Sequence, residues 1–355
     1  MVRGLIDHAP ALAPDLHFRL LKNPQVKRPL SSTPNVTEQS VLVGANSPAS
    51  MWFLPELADL SGCDVFHAVA NILPARLPMQ TVTSVHDIMW LSNPDWCDPS
   101  AYGHVKRRFY GQGIRRALSK SDKIAVVSEA TKNAILERFP ECAERIAVTR
   151  SGVSPRFRRV DNSALALSRL DIAKDAQFAL VVGQFAPYKN HEGALRAFAR
   201  AFAGQEDKIL VLVQRQGPRT QELEAAAQEL GVARQVRFTG PVDESLLLQL
   251  YSAAKFLVHP SFCEGFGNPI AEAMGCGCPV ITSDLSAMPE VAGGAAKLVD
   301  PACEGSIADA MIEVWNDKQK ADTMRAAGIK RAAELRWHDF ARKNVAIYRS
   351  ILAET

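Results

Sequence analysis

No strong charge of either sign marks this chain: 41 Lys and Arg against 38 Asp and Glu in 355 residues leave a formal net charge of +3. A general nucleic-acid binder needs a marked basic excess, so that class is set aside and no nucleic-acid partner is expected. Nowhere do about 18 apolar residues follow one another, so no membrane-spanning helix is expected. The stretch from Met1 to His17 lacks the long apolar core of a signal peptide and already carries Asp7. The seven cysteines include no Cys-x-x-Cys pair and one is left over, which supports neither a zinc ribbon nor a full disulfide framework. A reducing, cytoplasmic setting fits best. No internal repeat is present.

What is there is an ordinary globular composition, 47% hydrophobic and 22% charged, in a chain too long for one core. Two domains are expected, as α/β units with parallel sheets. The second half alternates most clearly: Phe178–Val182, Ile209–Val213, Val236–Phe238, Phe256–Val258 and Pro279–Ile281 as strands. Between them Asn190–Phe202, Thr220–Leu230, Glu244–Ala253 and Pro269–Met274 read as helices. In the first half Phe18–Leu21, Val41–Val43, Val65–His67, Thr81–Val85, Ile124–Val127 and Ile146–Thr149 read as strands. Met51–Leu60, Ala101–Leu118 and Ser128–Phe139 read as helices, with Ser128 an N-cap. The polar stretch Lys22–Gln39 reads as a loop, and Gly152–Lys174 as the connection between domains. Glu304–Trp315, Lys318–Leu335 and Trp337–Leu352 close the chain as helices. The expected domains are 1–155, 156–336 and a final helix 337–355 returning to the first domain. Ligands in such doubly wound sheets bind beyond the carboxyl ends of the strands.

The densest chemistry lies in His259-Pro-Ser-Phe-Cys-Glu-Gly-Phe-Gly-Asn-Pro-Ile-Ala-Glu-Ala-Met-Gly-Cys-Gly-Cys-Pro-Val280. A strand leads to Glu264, a Gly265-Phe266-Gly267 turn follows, and Pro269 opens a helix that carries Glu272. Glycines let backbone approach a ligand, and the free amides of a helix start favour an anion, phosphate being the obvious one. Carboxylates accept hydrogen bonds from vicinal hydroxyls and repel phosphate. Two of them flanking a phosphate cradle point to a sugar on each side, as in a nucleotide sugar. The competing reading is a capped surface helix with two solvated glutamates.

These residues resemble family 4 of the retaining glycosyltransferases, which have the GT-B fold: two Rossmann-like domains facing across a cleft. The Glu-(seven residues)-Glu signature is Glu264 and Glu272, supported by Gln177–Asn190, Val236–Val242 and Pro279–Glu290, and more loosely by Phe66-His67 and Val82–Asp87. The resemblance implies that Glu272 holds the ribose and that Glu264 contacts the donor sugar. It implies that Gly265, Phe266, Gly267 and Asn268 meet the sugar and distal phosphate, that Lys189 neutralises the departing diphosphate, and that His86 binds the transferring sugar. Gly183, Gln184, Arg215 and Gly240 complete the implied donor site, while His67 and His259 are assigned to structure. No metal and no cofactor is implied; the chain has no Asp-x-Asp element, and Cys276 and Cys278 are read as packing.

Three departures stand out. Gln184 occupies a position where a second basic residue is common, and Tyr188 one where Arg is common, so the diphosphate clamp rests on Lys189 alone or borrows Arg215. A charge-assisted contact is worth about 1.5–3 kcal/mol, so such a loss weakens donor binding without abolishing it. The first domain also lacks the opening strand and glycine-rich loop of the family, as though the chain started late. The implied reaction is metal-independent hexosyl transfer, mannose from GDP-mannose being favoured, to a glycan or lipid-linked acceptor in envelope polysaccharide synthesis. A rhamnosyl- or glucosyltransferase, another nucleotide-sugar enzyme of the fold, or a non-catalytic donor-binding partner stay open. Lys106, Arg107, Arg108, Arg115 and Arg116 form a basic stretch that could meet the inner face of a membrane; a solvated helix face is the alternative.

Overall fold

The computed structural model describes residues 1–98, 100, 102–161, 177–215 and 217–354. The expected connection Gly152–Lys174 lies outside the described residues from position 162 onward. The chain divides into two compact units, Met1–Gly152 with Arg336–Thr355, and Val153–Leu335.

In the first unit β1 (Phe18–Lys22) pairs with β2 (Val36–Ser40), and a separate four-stranded sheet runs β3 (Val65–Ala68), β4 (Gln80–Val85), β5 (Lys123–Val126), β6 (Ile146–Val148). All these pairs are parallel. The opening helix Val2–Leu12 and the closing helix Trp337–Ala353 pack together, and a Cβ on Gly4 would lie 2.4 Å from the Trp337 ring. Ala341, Val345, Tyr348 and Ile351 of the closing helix share a core with Ala9, Val82 and Ala125. His67 bridges that helix to the sheet, with Nδ1 2.7 Å from the Tyr348 hydroxyl and Nε2 2.9 Å from Ser84 Oγ. Burial, reinforced by nearby His86, pulls its pKa down to about 3, so it is a neutral strut. The helix Glu129–Leu136 starts at Ser128, whose hydroxyl accepts from the Thr131 amide.

Two expectations for this unit are corrected. The stretch Lys22–Gln39, read as a loop, contains most of β2, whose Val-Thr-Glu-Gln-Ser sequence offers no apolar run and which, among the described residues, pairs only with β1. Val41–Val43, read as a strand, lies just beyond it: Val41 is buried against Leu54 and Ala58, while Leu42 stands 90% exposed.

The second unit holds a six-stranded parallel sheet in the order β12-β11-β10-β7-β8-β9: β7 (Gln177–Val182), β8 (Lys208–Val213), β9 (Val236–Phe238), β10 (Phe256–His259), β11 (Val280–Ser283) and β12 (Lys297–Val299). Phe178 to Val182 and Ile209 to Val213 are buried throughout, as strands covered on both faces require. The helix His191–Phe202 buries Ala194, Leu195, Phe198 and Phe202 on one stripe, and the Asn190 side chain accepts from the Gly193 amide at its start. Met288–Ala292 and β12 are elements that the sequence pattern did not announce, each three to five residues long.

Among the described residues no helix is long and apolar enough to cross a membrane.

Candidate functional site

The strand order places the site. From β7 the chain adds β8 and β9 on one side, then crosses to add β10, β11 and β12 on the other, so the connections diverge between β7 and β10. Such a switch point opens a crevice at the carboxyl ends of the strands. Most of the donor-side residues singled out in the second half lie just past those ends: Gly183 and Gln184 after β7, Arg215 after β8, Gly240 after β9 and Glu264 after β10.

The two loops at the switch point are tied together. The Phe262 amide donates to the Tyr188 carbonyl at 2.8 Å, which fixes the Pro187–Lys189 turn against the loop that follows β10. Asn190 ends this turn in a left-handed conformation, φ 54°, and its side-chain nitrogen donates to the Pro301 carbonyl at 2.8 Å. Lys189 is thereby aimed at Glu264, with Nζ 2.5 Å from Oε1 and both side chains 10% exposed. Its ammonium also sits 5.3 Å from the centre of the Tyr188 ring, so the residue standing where Arg is common supplies an aromatic face instead of a charge. A Cβ at Gly183, φ +145°, would come within 3.7 Å of the Lys189 stem.

Glu264 is not a solvated surface acid. Burial alone would push its carboxyl up, but the charge of Lys189 and the hydrogen bond from His259 hold it down at about 2. His259 Nε2 lies 3.0 Å from the same Oε1, and Ser261 Oγ donates to it at 3.0 Å. His259, expected to serve structure, and Ser261, to which the sequence gives no role, both touch the central carboxylate. Their signal in the sequence was position, at the end of a buried strand within five residues of Glu264. His191, also buried here, is held neutral with a pKa of about 3 by burial and by the nearby His259 and Lys189.

The turn after Glu264 behaves as its glycines require. Gly267 takes φ +94° and stands at the start of the helix Asn268–Gly275, with Pro269 in its first turn. Phe266 is buried and Asn268 exposed. The Ser286 hydroxyl donates to the Glu264 carbonyl at 2.8 Å, pinning the loop to the chain beyond β11. Glu272, inside the helix, accepts from the Tyr251 hydroxyl at 3.2 Å. Burial raises its carboxyl to about 7 against the opposing Tyr251 hydrogen bond, with Glu244 adding to the rise. The two glutamates thus sit in opposite electrostatic states.

The structure joins Lys189 to Glu264 and sets Gly183 beside the Lys189 stem, while Glu272 makes its bond with Tyr251. Gln184 and Arg215 are exposed, and Gly240 is buried with φ +69°. His86 belongs to the first unit, just past the carboxyl end of β4. Its amide donates to Asn71 Oδ1 at 2.7 Å, and its Nε2 lies 3.0 Å from the Val69 carbonyl. A carbonyl can only accept, so Nε2 carries a proton. Of the basic stretch, Lys106 is bound to Asp98 at 2.6 Å, and Arg116 is half-buried over the Trp52 ring at 4.2 Å. Arg107, Arg108 and Arg115 are exposed on the helix Gly103–Lys120. Among the described residues no group of three or more His, Cys, Asp or Glu is disposed to hold a metal ion.

Comparison with known proteins agrees with this architecture. A family model described as glycosyl transferases group 1 matches residues 166–331. O-antigen chain mannosyltransferase B of Escherichia coli is 27% identical over 314 residues, covering 84% of this chain and 76% of that protein. The serotype-specific mannosyltransferase WbdA of Escherichia coli is 28% identical over 280 residues, covering 76% of this chain but only 33% of that protein. Among solved structures, a sucrose-phosphate synthase from Thermosynechococcus elongatus superposes with a TM-score of 0.74 at 22% identity, over 100% of this chain and 93% of that one. Two parallel α/β units, the acids around the Gly265–Gly267 turn and the match across the second unit lead to one conclusion: residues 166–331 match the group 1 glycosyl transferases, and the chain is a glycosyltransferase with the GT-B fold.

Proposed function

We propose that the chain is a retaining hexosyltransferase that takes a nucleoside diphosphate sugar, GDP-mannose being favoured, and extends a glycan or lipid-linked acceptor of an envelope polysaccharide. The observation that carries this reading is the Lys189–Glu264 pair at the β7/β10 switch point, a cation and an ionised acid held side by side at the mouth of the sheet. Lys189 receives the diphosphate, stabilising charge where it develops as the bond to the sugar breaks. Glu264 accepts hydroxyls of the transferring sugar, and Glu272 those of the ribose. Amides of Gly265, Phe266, Gly267 and Asn268 line the distal phosphate, and Gly183, Gln184, Arg215 and Gly240 border the nucleotide. His86 binds the transferring sugar. The mannosyltransferase names of two relatives support the choice of sugar, and the O-antigen name of one supports the polymer.

Envelope acceptors are often held at a membrane, and the exposed Arg107, Arg108 and Arg115 supply a basic face for anionic lipid, with Lys106 and Arg116 at its border. Transfer assays with GDP-mannose, UDP-glucose and dTDP-rhamnose, using envelope glycan extracts as acceptor, test the reaction. Turnover with GDP-mannose alone supports the reading. Turnover only with UDP-glucose or dTDP-rhamnose reassigns the sugar, and no turnover with any donor contradicts it.

A further inference from the structure

The carboxylate of Glu264 is gripped by one oxygen. Lys189 Nζ at 2.5 Å, His259 Nε2 at 3.0 Å and Ser261 Oγ at 3.0 Å all meet at Oε1, none of them at Oε2. An ionised carboxylate only accepts, so His259 must carry its proton on Nε2. Ser261 Oγ, 3.2 Å from that nitrogen, then gives its own proton to Glu264 and can accept a share of the His259 N–H. The arrangement closes on itself, and its members are buried: His259 is 2% and Ser261 0% exposed. Both come from the end of β10 and the two residues after it, so the grip is built into the backbone that presents Glu264.

The three donors are not equivalent. Lys189 is a long, cationic side chain, and a diphosphate arriving beside it competes directly for its ammonium. His259 is kept neutral by burial, and it faces Glu264, Ser261, Lys189 and His191. Neither it nor Ser261 loses its bond when Lys189 turns to another anion. We propose that His259, together with Ser261, is a positioning residue for the transfer reaction: the pair holds Glu264 by Oε1, so that Oε2 stays presented to the donor sugar while Lys189 serves the diphosphate. This rests on the assignment of Glu264 to the sugar. A neutral N–H donor is all that the role requires, so a glutamine in place of the histidine should sustain it.

The test compares wild type, His259→Leu, His259→Gln, Ser261→Ala and Glu264→Gln by steady-state kinetics with whichever nucleotide sugar of the panel turns over. Titration with the matching nucleoside diphosphate and thermal melting are run on each. Misplacing a reacting group by about 1 Å can cost about a hundredfold, so His259→Leu is expected to lose roughly ten- to a hundredfold in kcat. Its affinity for the nucleoside diphosphate should stay within about twofold of wild type, because the affected oxygen faces the sugar. His259→Gln should recover most of the rate, and Ser261→Ala should fall in between.

Wild-type kcat in His259→Leu overturns the proposal. So does a parallel loss of rate, nucleotide affinity and melting temperature that glutamine fails to rescue, since that marks a structural role only. If His259→Leu does not fold, the other two variants decide: an active His259→Gln with a slowed Ser261→Ala supports the proposal, and full turnover in Ser261→Ala overturns it. Undiminished turnover in Glu264→Gln sinks the assignment of Glu264 itself. A dead Glu264→Gln beside an unaffected His259→Leu sinks only the present inference.

Discussion

Lys189 and Glu264, 75 residues apart in the chain, meet at 2.5 Å with only a tenth of each side chain exposed. Breaking a buried pair by removing one partner is costly, because the other charge is left without compensation; the usual penalty is about 3–5 kcal/mol. Lys189→Met should therefore destabilise the second unit by about that amount. The double variant Lys189→Met/Glu264→Gln should recover a large part of it, since no charge is then stranded. Denaturant unfolding of the four members of this cycle measures the coupling. Additive losses, the double variant being destabilised by the sum of the two single variants, would show that the pair carries no mutual energy.

Glu272 makes a prediction about pH. Its folded-state pKa, about 7, lies above the value of 4.5 for a free carboxyl. The fold thus favours the protonated form, and the stability this contributes is complete below about 4.5 and is lost as pH rises through about 7. The difference of about 2.5 units corresponds to roughly 3 kcal/mol. Wild type should lose stability relative to Glu272→Gln between those two pH values. Nucleotide affinity should move the other way, strengthening as the carboxylate forms, because the ionised group is the better acceptor for two ribose hydroxyls. Melting curves and nucleoside diphosphate titrations across pH 5 to 8 read both trends, and a flat wild-type-minus-variant difference would remove the claim.

The basic helix gives a prediction that depends on salt. Near an anionic surface each Lys or Arg contributes about 1 kcal/mol, and that contribution falls off within a Debye length. Flotation with vesicles rich in anionic lipid should carry the protein upward at low ionic strength, and Arg107→Glu/Arg108→Glu/Arg115→Glu should leave it at the bottom. Lys106→Ala should matter less, because its ammonium is already bound to Asp98. Failure of the wild type to float at low salt would reduce this face to a solvated one.

How much of this was legible in the sequence depended on burial. Phe178–Val182 and Ile209–Val213 are enclosed on both faces and read as unbroken apolar runs, so their strands were visible. β2 is polar, half-exposed and paired on one side only, and its place is set by its register with β1, Phe18 opposite Val36, which no local pattern reveals. The two acids were legible because their spacing around a glycine turn is itself a motif, while Lys189, 75 residues away, was legible only through the family resemblance. The grip of His259 and Ser261 on one oxygen was not. It depends on how the chain folds back beyond β10 and on the Tyr188–Phe262 hydrogen bond that brings Lys189 to the same point.

In the proposed reaction a nucleoside diphosphate is bound beyond the carboxyl ends of β7 and β10 by Lys189 and Glu272. Calorimetric titration of GDP, UDP and dTDP into wild type, Lys189→Ala and Glu272→Ala tests it most directly. Saturable binding of at least one nucleotide, GDP first, is expected, weakened about tenfold or more in each variant by the loss of a charge-assisted contact. Equal affinity in all three proteins, or no binding of any nucleotide by wild type, would contradict it.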